Sequence, residues 1–365
     1  MKERTFLTAI ALTLIAMQSK AQARFETIGD LPGGFNISHA HAVSSSGEYV
    51  TGTSQSVDGI RAVRWSRSEG LVSIPRAPQS GDQTAGSVSQ SGLYYSGVQG
   101  SIGFVWSESL GSVSIGDLPG GRDQSSVGDI NDSGVAVGIS SFAFTSTGQS
   151  RNRVVKWSPS GGLEAIPLPG ASDLDFSSTA LGLLEGGRIV GRSAAGTWIY
   201  SEADGTHEML PGAPNWIGDV NSDGTIFAGT ASLGGSRAAI WEPSGETTLL
   251  PLLDGHMFSN FRAISEDGSL AVGVSTGGSE VAPVVWIDRG EPIRVIDFAS
   301  SLGLDMTGWV IVDVFDVSGD GSTIVGTARR TSWELGRIEG FVLTIPGPGS
   351  ALAVPVALAF LRRRR

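Results

Sequence analysis

Between residues 25 and 346, short apolar segments alternate with glycine-containing polar turns, and one such pattern occurs seven times. Each copy has an apolar residue, Ser or Asn, two polar residues, Gly, and then a small apolar strand that ends in a second Gly. The copies begin at Val43, Val88, Ile130, Leu183, Val220, Ile264 and Val317. Their first glycines lie about 46 residues apart on average, so the chain is a repeat protein.

Each copy is followed by a strand that ends in an aromatic residue: Trp65, Trp106, Trp157, Trp198, Trp241, Trp286 and Phe341. A further short strand comes next, so each unit supplies four strands, the first two of which are joined by a tight turn. Four-stranded units at this spacing are typical of propeller blades. The sequence therefore predicts an all-β fold, a seven-bladed β-propeller of four-stranded blades.

The last unit lacks its outer strand, because it stops at Pro346. The missing strand is predicted at the start of the chain, where FETIGDLPGG (Phe25–Gly34) matches the outer strand SVSIGDLPGG of the second unit. We expect Phe25–Gly34 to complete the blade that Val317 begins, which closes the ring and leaves few free strand edges.

The N-terminal segment, residues 1–23, has the features of a secretory signal peptide. It has a basic start, an apolar stretch from Phe6 to Met17, and small residues at Ala21 and Ala23. Cleavage is predicted after Ala23. The alternative is an uncut anchor, but about 12 apolar residues are too few for a comfortable span.

The C-terminal segment, residues 347–365, follows the predicted propeller domain of residues 24–346. It contains an apolar run from Ala351 to Leu361 and four terminal arginines, Arg362, Arg363, Arg364 and Arg365. This arrangement resembles the PEP-CTERM sorting tails of bacteria, which a dedicated sorting protease removes. The resemblance implies transient association with the inner membrane, with the arginines held on the cytoplasmic side. In this chain Pro346 and Pro348 form PGP in place of Pro-Glu-Pro.

Composition narrows the classes of partner. The formal charge of the chain is −11, to which the predicted signal contributes +2 and the terminal arginines +4, so the remainder carries −17. Such a surface repels nucleic-acid backbones, so we expect no nucleic-acid partner. The chain has no cysteine, which excludes thiol catalysis and disulfide bonds.

Residues 31–65, LPGGFNISHAHAVSSSGEYVTGTSQSVDGIRAVRW, resemble the HAF-repeat family of exported bacterial proteins. The resemblance extends over essentially all of residues 25–346, and it implies a secreted or cell-surface propeller whose activity is mostly unassigned. Unit 4 departs from the pattern, because Leu184 stands where the others have Ser or Asn. We therefore expect an irregular fourth blade.

Few residues suggest metal or cofactor chemistry. His39 and His41 are two apart, as a zinc pair on a strand would be, but a structural role is favoured because the position recurs in other units without histidine. The Asp-rich turns lack the calcium-loop pattern and suit local hydrogen bonding. No nucleophile elbow, phosphate loop or zinc-protease motif is present, and no cofactor is predicted.

Asp129, Asp219 and Asp316 occupy equivalent positions in units 3, 5 and 7. In a ring these carboxylates could converge near the axis, where burial would raise at least one pKa, and serve as acid and base or bind a cation. The favoured alternative is that each accepts backbone hydrogen bonds inside its own blade.

Two functions remain open from the sequence. The favoured one is a noncatalytic exported propeller that binds envelope or matrix polysaccharides or other surface proteins. The alternative is a carbohydrate-active enzyme, a glycosidase or lyase, that uses the channel carboxylates; fold alone does not separate the two.

Overall fold

The protein is a seven-bladed β-propeller in which every blade is a four-stranded antiparallel sheet. The computed structural model describes residues 22–346, apart from 145–147, 149, 171–177, 214–215, 233, 244–246 and 335. Most of the predicted signal and all of the predicted tail, with Pro348 and Arg362–Arg365, therefore lie outside the described residues. The part of the chain that is described contains no helix long and apolar enough to cross a membrane.

The strands of each blade follow one another from the axis outwards. Blades 1–3 consist of β2 (Gly33–Val43), β3 (Tyr49–Ser56), β4 (Gly59–Ser66) and β5 (Gly70–Ser73); β6 (Gln83–Val88), β7 (Tyr95–Gln99), β8 (Ile102–Ser107) and β9 (Gly111–Ser114); and β10 (Ser125–Ile130), β11 (Ala136–Phe144), β12 (Ser150–Ser158) and β13 (Gly162–Ala165). Blades 4–6 consist of β14 (Thr179–Leu183), β15 (Ile189–Ser193), β16 (Gly196–Ser201) and β17 (Thr206–Met209); β18 (Trp216–Val220), β19 (Phe227–Ser232), β20 (Ser236–Trp241) and β21 (Thr248–Leu249); and β22 (Phe258–Ile264), β23 (Leu270–Gly277), β24 (Glu280–Ile287) and β25 (Ile293–Arg294).

Blade 7 joins the two ends of the chain, which confirms the predicted closure. Its strands are β26 (Trp309–Val317), β27 (Thr323–Arg330), β28 (Glu339–Thr344) and, outermost, β1 (Arg24–Thr27). Phe25 lies opposite Leu343, and its ring stacks on Phe341 with centroids 5.3 Å apart. The closing strand is shorter than the predicted Phe25–Gly34, because Gly33 already begins the inner strand of blade 1.

Two short helical segments interrupt the sheets. The α-helix α1 (Val295–Ser301) connects blades 6 and 7 and buries Phe298 and Ala299. A single 3-10 turn, Glu185–Gly187, lies in blade 4.

The hydrophobic core lies between the blades. In the described residues it forms seven clusters, each of which combines side chains of two adjacent blades. The cluster between blades 7 and 1, for example, joins Val325 and Val342 to Val50 and Trp65. Each blade therefore covers an apolar face of the next, and the ring needs no disulfide to hold it.

The Ser or Asn of the repeat fixes the turn after each innermost strand. Its side-chain oxygen accepts a backbone N–H four or five residues on, at 2.8–3.2 Å, in the six turns that contain Ser44, Ser89, Asn131, Asn221, Ser265 and Ser318. Leu184 has no such oxygen, and blade 4 uses the 3-10 turn with two left-handed glycines, Gly186 and Gly187, instead. The expected irregularity of blade 4 is thus found at this turn.

The two repeated glycines have different causes. The first adopts a left-handed φ of 67–76° in every blade, which glycine adopts without strain. The second allows two strands to approach closely. In six blades a Cβ there would lie 1.8–2.3 Å from a carbonyl oxygen of the innermost strand; these glycines are Gly52, Gly97, Gly138, Gly229, Gly273 and Gly326.

The aromatic positions were predicted correctly in five blades and displaced in two. In blade 1 the aromatic residue Trp65 lies opposite Val50 of the second strand. The position equivalent to Val50 in blade 4 is Ile189, and the residue opposite it is Tyr200, not Trp198. In blade 7 the equivalent residue is Leu343, not Phe341. Trp198 and Phe341 instead lie two residues earlier, opposite the second glycine of their repeats.

Candidate functional site: the central channel

The innermost strands and the turns that follow them enclose a cavity of about 590 Å³ around the axis. Seven such strands are available because the blades radiate from the axis with their first strand innermost. The turns lie at one end of the channel, and the first residues of the innermost strands lie at the other. We call this second end the mouth.

Every innermost strand contains a β-bulge two residues before its end. The register with the second strand shifts there in all seven blades. A bulge directs side chains away from the regular ladder. The bulged residues all line the cavity: His41, Gly86, Gly128, Leu181, Gly218, Arg262 and Phe315.

This ring of bulges is asymmetric. Blades 2, 3 and 5 contribute only glycine, whereas blades 6, 7 and 1 contribute Arg262, Phe315 and His41. Arg262 binds Asp313 at 3.1 Å and its guanidinium lies 5.9 Å from the Phe315 ring. The glycine side leaves open space, and the opposite side is filled by polar and aromatic groups.

Asp129, Asp219 and Asp316 lie directly after their bulges and do converge on this cavity. In each, one carboxylate oxygen accepts the N–H of the next residue, at 2.7–2.8 Å. The other oxygen accepts an N–H of the next blade at 2.8–2.9 Å: Leu183 for Asp129, Ile264 for Asp219 and Val43 for Asp316. One bond of each aspartate thus lies within its own blade, as the sequence favoured, and the other crosses to the next blade, which the sequence did not predict.

The three carboxylates connect the blades in pairs. Blade 3 is bonded to blade 4, blade 5 to blade 6, and blade 7 to blade 1. The receiving blades have small residues at the same position, Gly182, Ala263 and Ala42. Seven is an odd number, so blade 2 remains, and there Ser87 donates its hydroxyl to Asp129 at 3.2 Å.

The three aspartates are only partly exposed, and all three line the channel cavity. Burial raises the pKa of Asp219 to about 7 against the opposing effect of its two N–H partners. Burial, together with repulsion from Asp219 and Asp129, raises the pKa of Asp316 well above its usual value. Burial also raises the pKa of Asp129, which has three hydrogen-bond donors. From the sequence we expected at least one raised pKa among these aspartates, in agreement with these shifts.

His39 and His41 stack on one another with ring centroids 5.7 Å apart, next to Phe315. The Nδ1 of His39 lies 3.0 Å from Thr327 Oγ1, and the Nδ1 of His41 lies 3.1 Å from the carbonyl oxygen of Ala85. Burial lowers the pKa of both rings, so they are uncharged at neutral pH. Within the described ranges, no group of three His, Asp or Glu side chains could hold a metal ion.

The Asp-rich turns bind their own backbone and side chains. Asp267 accepts from Ser265 and Ser269, and Asp320 accepts from Ser318 and Ser322. These bonds are the turn chemistry that the sequence favoured over calcium binding.

From the sequence we missed Arg262 and Phe315, which line the channel, and Asp313, which binds Arg262. The repeat pattern begins at the end of the innermost strand, so it contains no signal for the residues upstream of that point. A search for the residue at the same distance before each Ser or Asn would have found them.

No protein-family model matches this chain, and no curated protein matches its sequence. Solved structures do resemble it. An oligogalacturonate lyase from Vibrio parahaemolyticus has a TM-score of 0.55 at 14% identity, over 89% of this chain and 98% of that one. The structure of an oligogalacturonate lyase in complex with manganese has a TM-score of 0.56 at 14% identity, and the match covers 89% of this chain and 97% of that one.

A third structure, the β-propeller domain of the Trilobed protease from Pyrococcus furiosus, has a TM-score of 0.51 at 12% identity. The match covers 85% of this chain and 95% of that one. At these identities the likeness shows the propeller fold and nothing finer.

Proposed function

We propose that this protein is a noncatalytic, exported β-propeller that binds an envelope or matrix polysaccharide or another surface protein. The observation that carries the proposal is the state of the three channel aspartates. Both oxygens of each carboxylate accept backbone N–H groups. A carboxylate used in this way stabilises the ring and has less capacity to move protons on a substrate.

The acidic surface favours the same class of partner. Without the predicted signal and terminal arginines the chain carries a formal charge of −17, which disfavours polyanions such as nucleic acids. The channel adds a cavity of about 590 Å³, within the range of ordinary ligand sites.

An array of purified polysaccharides, glycans and envelope fractions tests the proposal. The purified protein should be retained by at least one polymer, with no change in that polymer's chain length. Protein unfolded by heat serves as the control for nonspecific retention. Absence of retention on every surface would contradict the proposal.

A carbohydrate-active enzyme is the second candidate. It is favoured by the convergence of Asp129, Asp219 and Asp316 on one cavity with raised pKa values, because acid–base catalysis needs carboxyl groups that stay protonated near neutral pH. Two similar structures are described as oligogalacturonate lyases. Release of unsaturated or reducing products from polygalacturonate or neutral glycans would support this candidate.

Export and sorting are part of the same proposal. Cleavage after Ala23 and removal of the tail beyond Pro346 would release the propeller at the cell surface or outside the cell. Mass spectrometry of protein recovered from its native host tests this, since the mature chain should begin at Arg24 and lack Ala351–Leu361. Secreted material that retains the apolar tail would contradict cleavage.

A further inference from the structure

Trp216 is the most exposed tryptophan of the protein. Its side chain is 71% exposed, whereas the other eight tryptophans, all within the described residues, are buried or only partly exposed. Exposed aromatic surface of this size costs solvation free energy and often marks a binding site. Trp216 is the first residue of β18 and therefore lies at the mouth of the channel.

The alternation along β18 determines the direction that Trp216 faces. Ile217 is buried between blades, whereas Trp216 and Gly218 on the other face are exposed. Gly218 lines the channel cavity. Because alternate residues of a strand share a face, the indole lies on the channel side, directly above a position without a side chain.

The equivalent residues of four other blades are uncharged and polar. Thr84, Ser126, Thr179 and Asn260 occupy this position in blades 2, 3, 4 and 6, and each is at least partly exposed. Hydroxyl and amide groups both donate and accept hydrogen bonds. An exposed indole surrounded by such groups has the chemistry that recognises a sugar ring, with an apolar face and a polar edge.

The charged residues at the channel indicate whether a neutral or an acidic sugar would bind. Arg262 is the only Arg or Lys among the described residues that line the cavity, and it is paired with Asp313. The two histidines are uncharged at neutral pH, and three further carboxyl groups lie at the inner end of the strands. At the level of Trp216 itself, the equivalent residues of the other six blades are His39, Thr84, Ser126, Thr179, Asn260 and Asp313, none of which is Arg or Lys. Because none of these seven residues offers a cation for a uronate, the site suits a neutral sugar.

We propose that the mouth of the channel binds a neutral saccharide, one ring of which stacks on Trp216 above Gly218 while the polar residues of neighbouring blades bind its hydroxyl groups. This inference rests on the proposed binding function and names its site and ligand class. The glycine positions of blades 2, 3 and 5 leave the space into which the end of the saccharide extends.

Isothermal titration calorimetry tests the site, because it measures the affinity of variants that lack Trp216 as well as that of the wild type. The probes are three neutral hexasaccharides (cellohexaose, laminarihexaose and maltohexaose) and hexagalacturonate, each at up to millimolar concentration. We expect at least one neutral hexasaccharide to bind the wild type at least about tenfold more tightly than hexagalacturonate. Trp216→Ala should weaken that binding at least about tenfold, as loss of a central aromatic contact does.

Two further variants make the result specific. Trp216→Phe retains an aromatic face and should recover most of the affinity. Leu93→Ala removes a side chain that is 60% exposed in a turn at the opposite end of blade 2, and it should bind like the wild type. Equal melting temperatures of the four proteins exclude misfolding as the cause.

The inference is overturned if no neutral hexasaccharide binds, if hexagalacturonate binds best, or if Trp216→Ala binds as tightly as the wild type. These failures differ from failure of the proposed function. If the array retains the protein and Trp216→Ala does not change retention, the site is wrong and the binding function stands. If the array retains nothing, the binding function itself is wrong.

Discussion

At the scale of single residues, the three channel aspartates connect neighbouring blades by hydrogen bonds. Asp219 binds the N–H of Val220 in its own blade and the N–H of Ile264 in the next. The sequence placed these carboxylates near the axis and favoured bonds within their own blades, but it did not predict the second partner. That partner belongs to a different repeat, and the β-bulge that brings it within reach has no sequence signature of its own.

The raised pKa of Asp219 predicts a pH-dependent contribution to stability. Its folded pKa of about 7 exceeds the unfolded value of about 3.9, so the folded state binds more protons in between. The contribution of Asp219 is therefore complete below about pH 4 and is lost as the pH rises to about 7. The measurement is the free energy of unfolding of wild type minus that of Asp219→Asn, from urea titrations across this pH window.

That difference should fall as the pH rises, because the titration of groups that do not interact with Asp219 cancels in the comparison. Repulsion between Asp219 and Asp316 is lost in the variant and changes the difference in the same direction. The same subtraction with Asp254→Asn, at an exposed loop carboxylate, serves as the control for the effect of the substitution itself. A difference that increases with pH would mean that the N–H partners outweigh burial and hold Asp219 ionised.

At the scale of elements, the repeat motif is explained by its turn and by one close strand contact. The Ser or Asn, the left-handed glycine and the second glycine were all recognised as repeating letters, and each has a local cause. The displaced aromatic positions of blades 4 and 7 could not be predicted, because strand register depends on the partner strand. In blade 4 the Trp198 ring packs against Gly191. In the other blades a backbone carbonyl oxygen of the innermost strand lies against the second glycine instead.

Gly229→Ala tests the role of the second glycine. A Cβ there would lie 1.9 Å from the carbonyl oxygen of Trp216, so the two strands must separate. We expect a loss of about 1–3 kcal/mol in the free energy of unfolding, measured by urea denaturation. Gly128→Ala is the matched control, because its Cβ would meet nothing nearer than 3.8 Å and should change stability by less than about 0.5 kcal/mol. Equal losses in both variants would contradict the close-contact account.

At the scale of the whole molecule, the number of blades and the way the ring closes were predictable because the repeat count left one outer strand missing. The residues that line the channel could not be predicted from the sequence. The bulged position holds His41, Arg262 and Phe315 in three blades, glycine in three others and Leu181 in blade 4, so the repeat pattern contains no information about it. Trp216 was likewise invisible as a site residue until the alternation of β18 was known.

Deleting residues 25–34 tests closure of the ring. The deletion exposes the edge of β28 and removes Phe25 from its contacts with Trp309 and Phe341. We expect a loss of about 3 kcal/mol or more and concentration-dependent aggregation, followed by light scattering and thermal melting. A synthetic peptide of residues 22–34, added in excess, should restore part of the stability. A deletion variant that stays monomeric with an unchanged melting temperature would show that the closing strand is dispensable.

The most direct test of the noncatalytic account measures product release and melting temperature on the same samples of wild type, Asp129→Asn, Asp219→Asn and Asp316→Asn. The substrate is the polysaccharide that the array identifies, together with polygalacturonate. The account predicts no release of products by any of the four proteins. It also predicts a lower melting temperature in each variant, because loss of one buried acceptor costs about 1–3 kcal/mol. A wild type that cleaves the polymer, with a single variant that keeps its melting temperature and loses cleavage, would contradict the account and make the protein an enzyme.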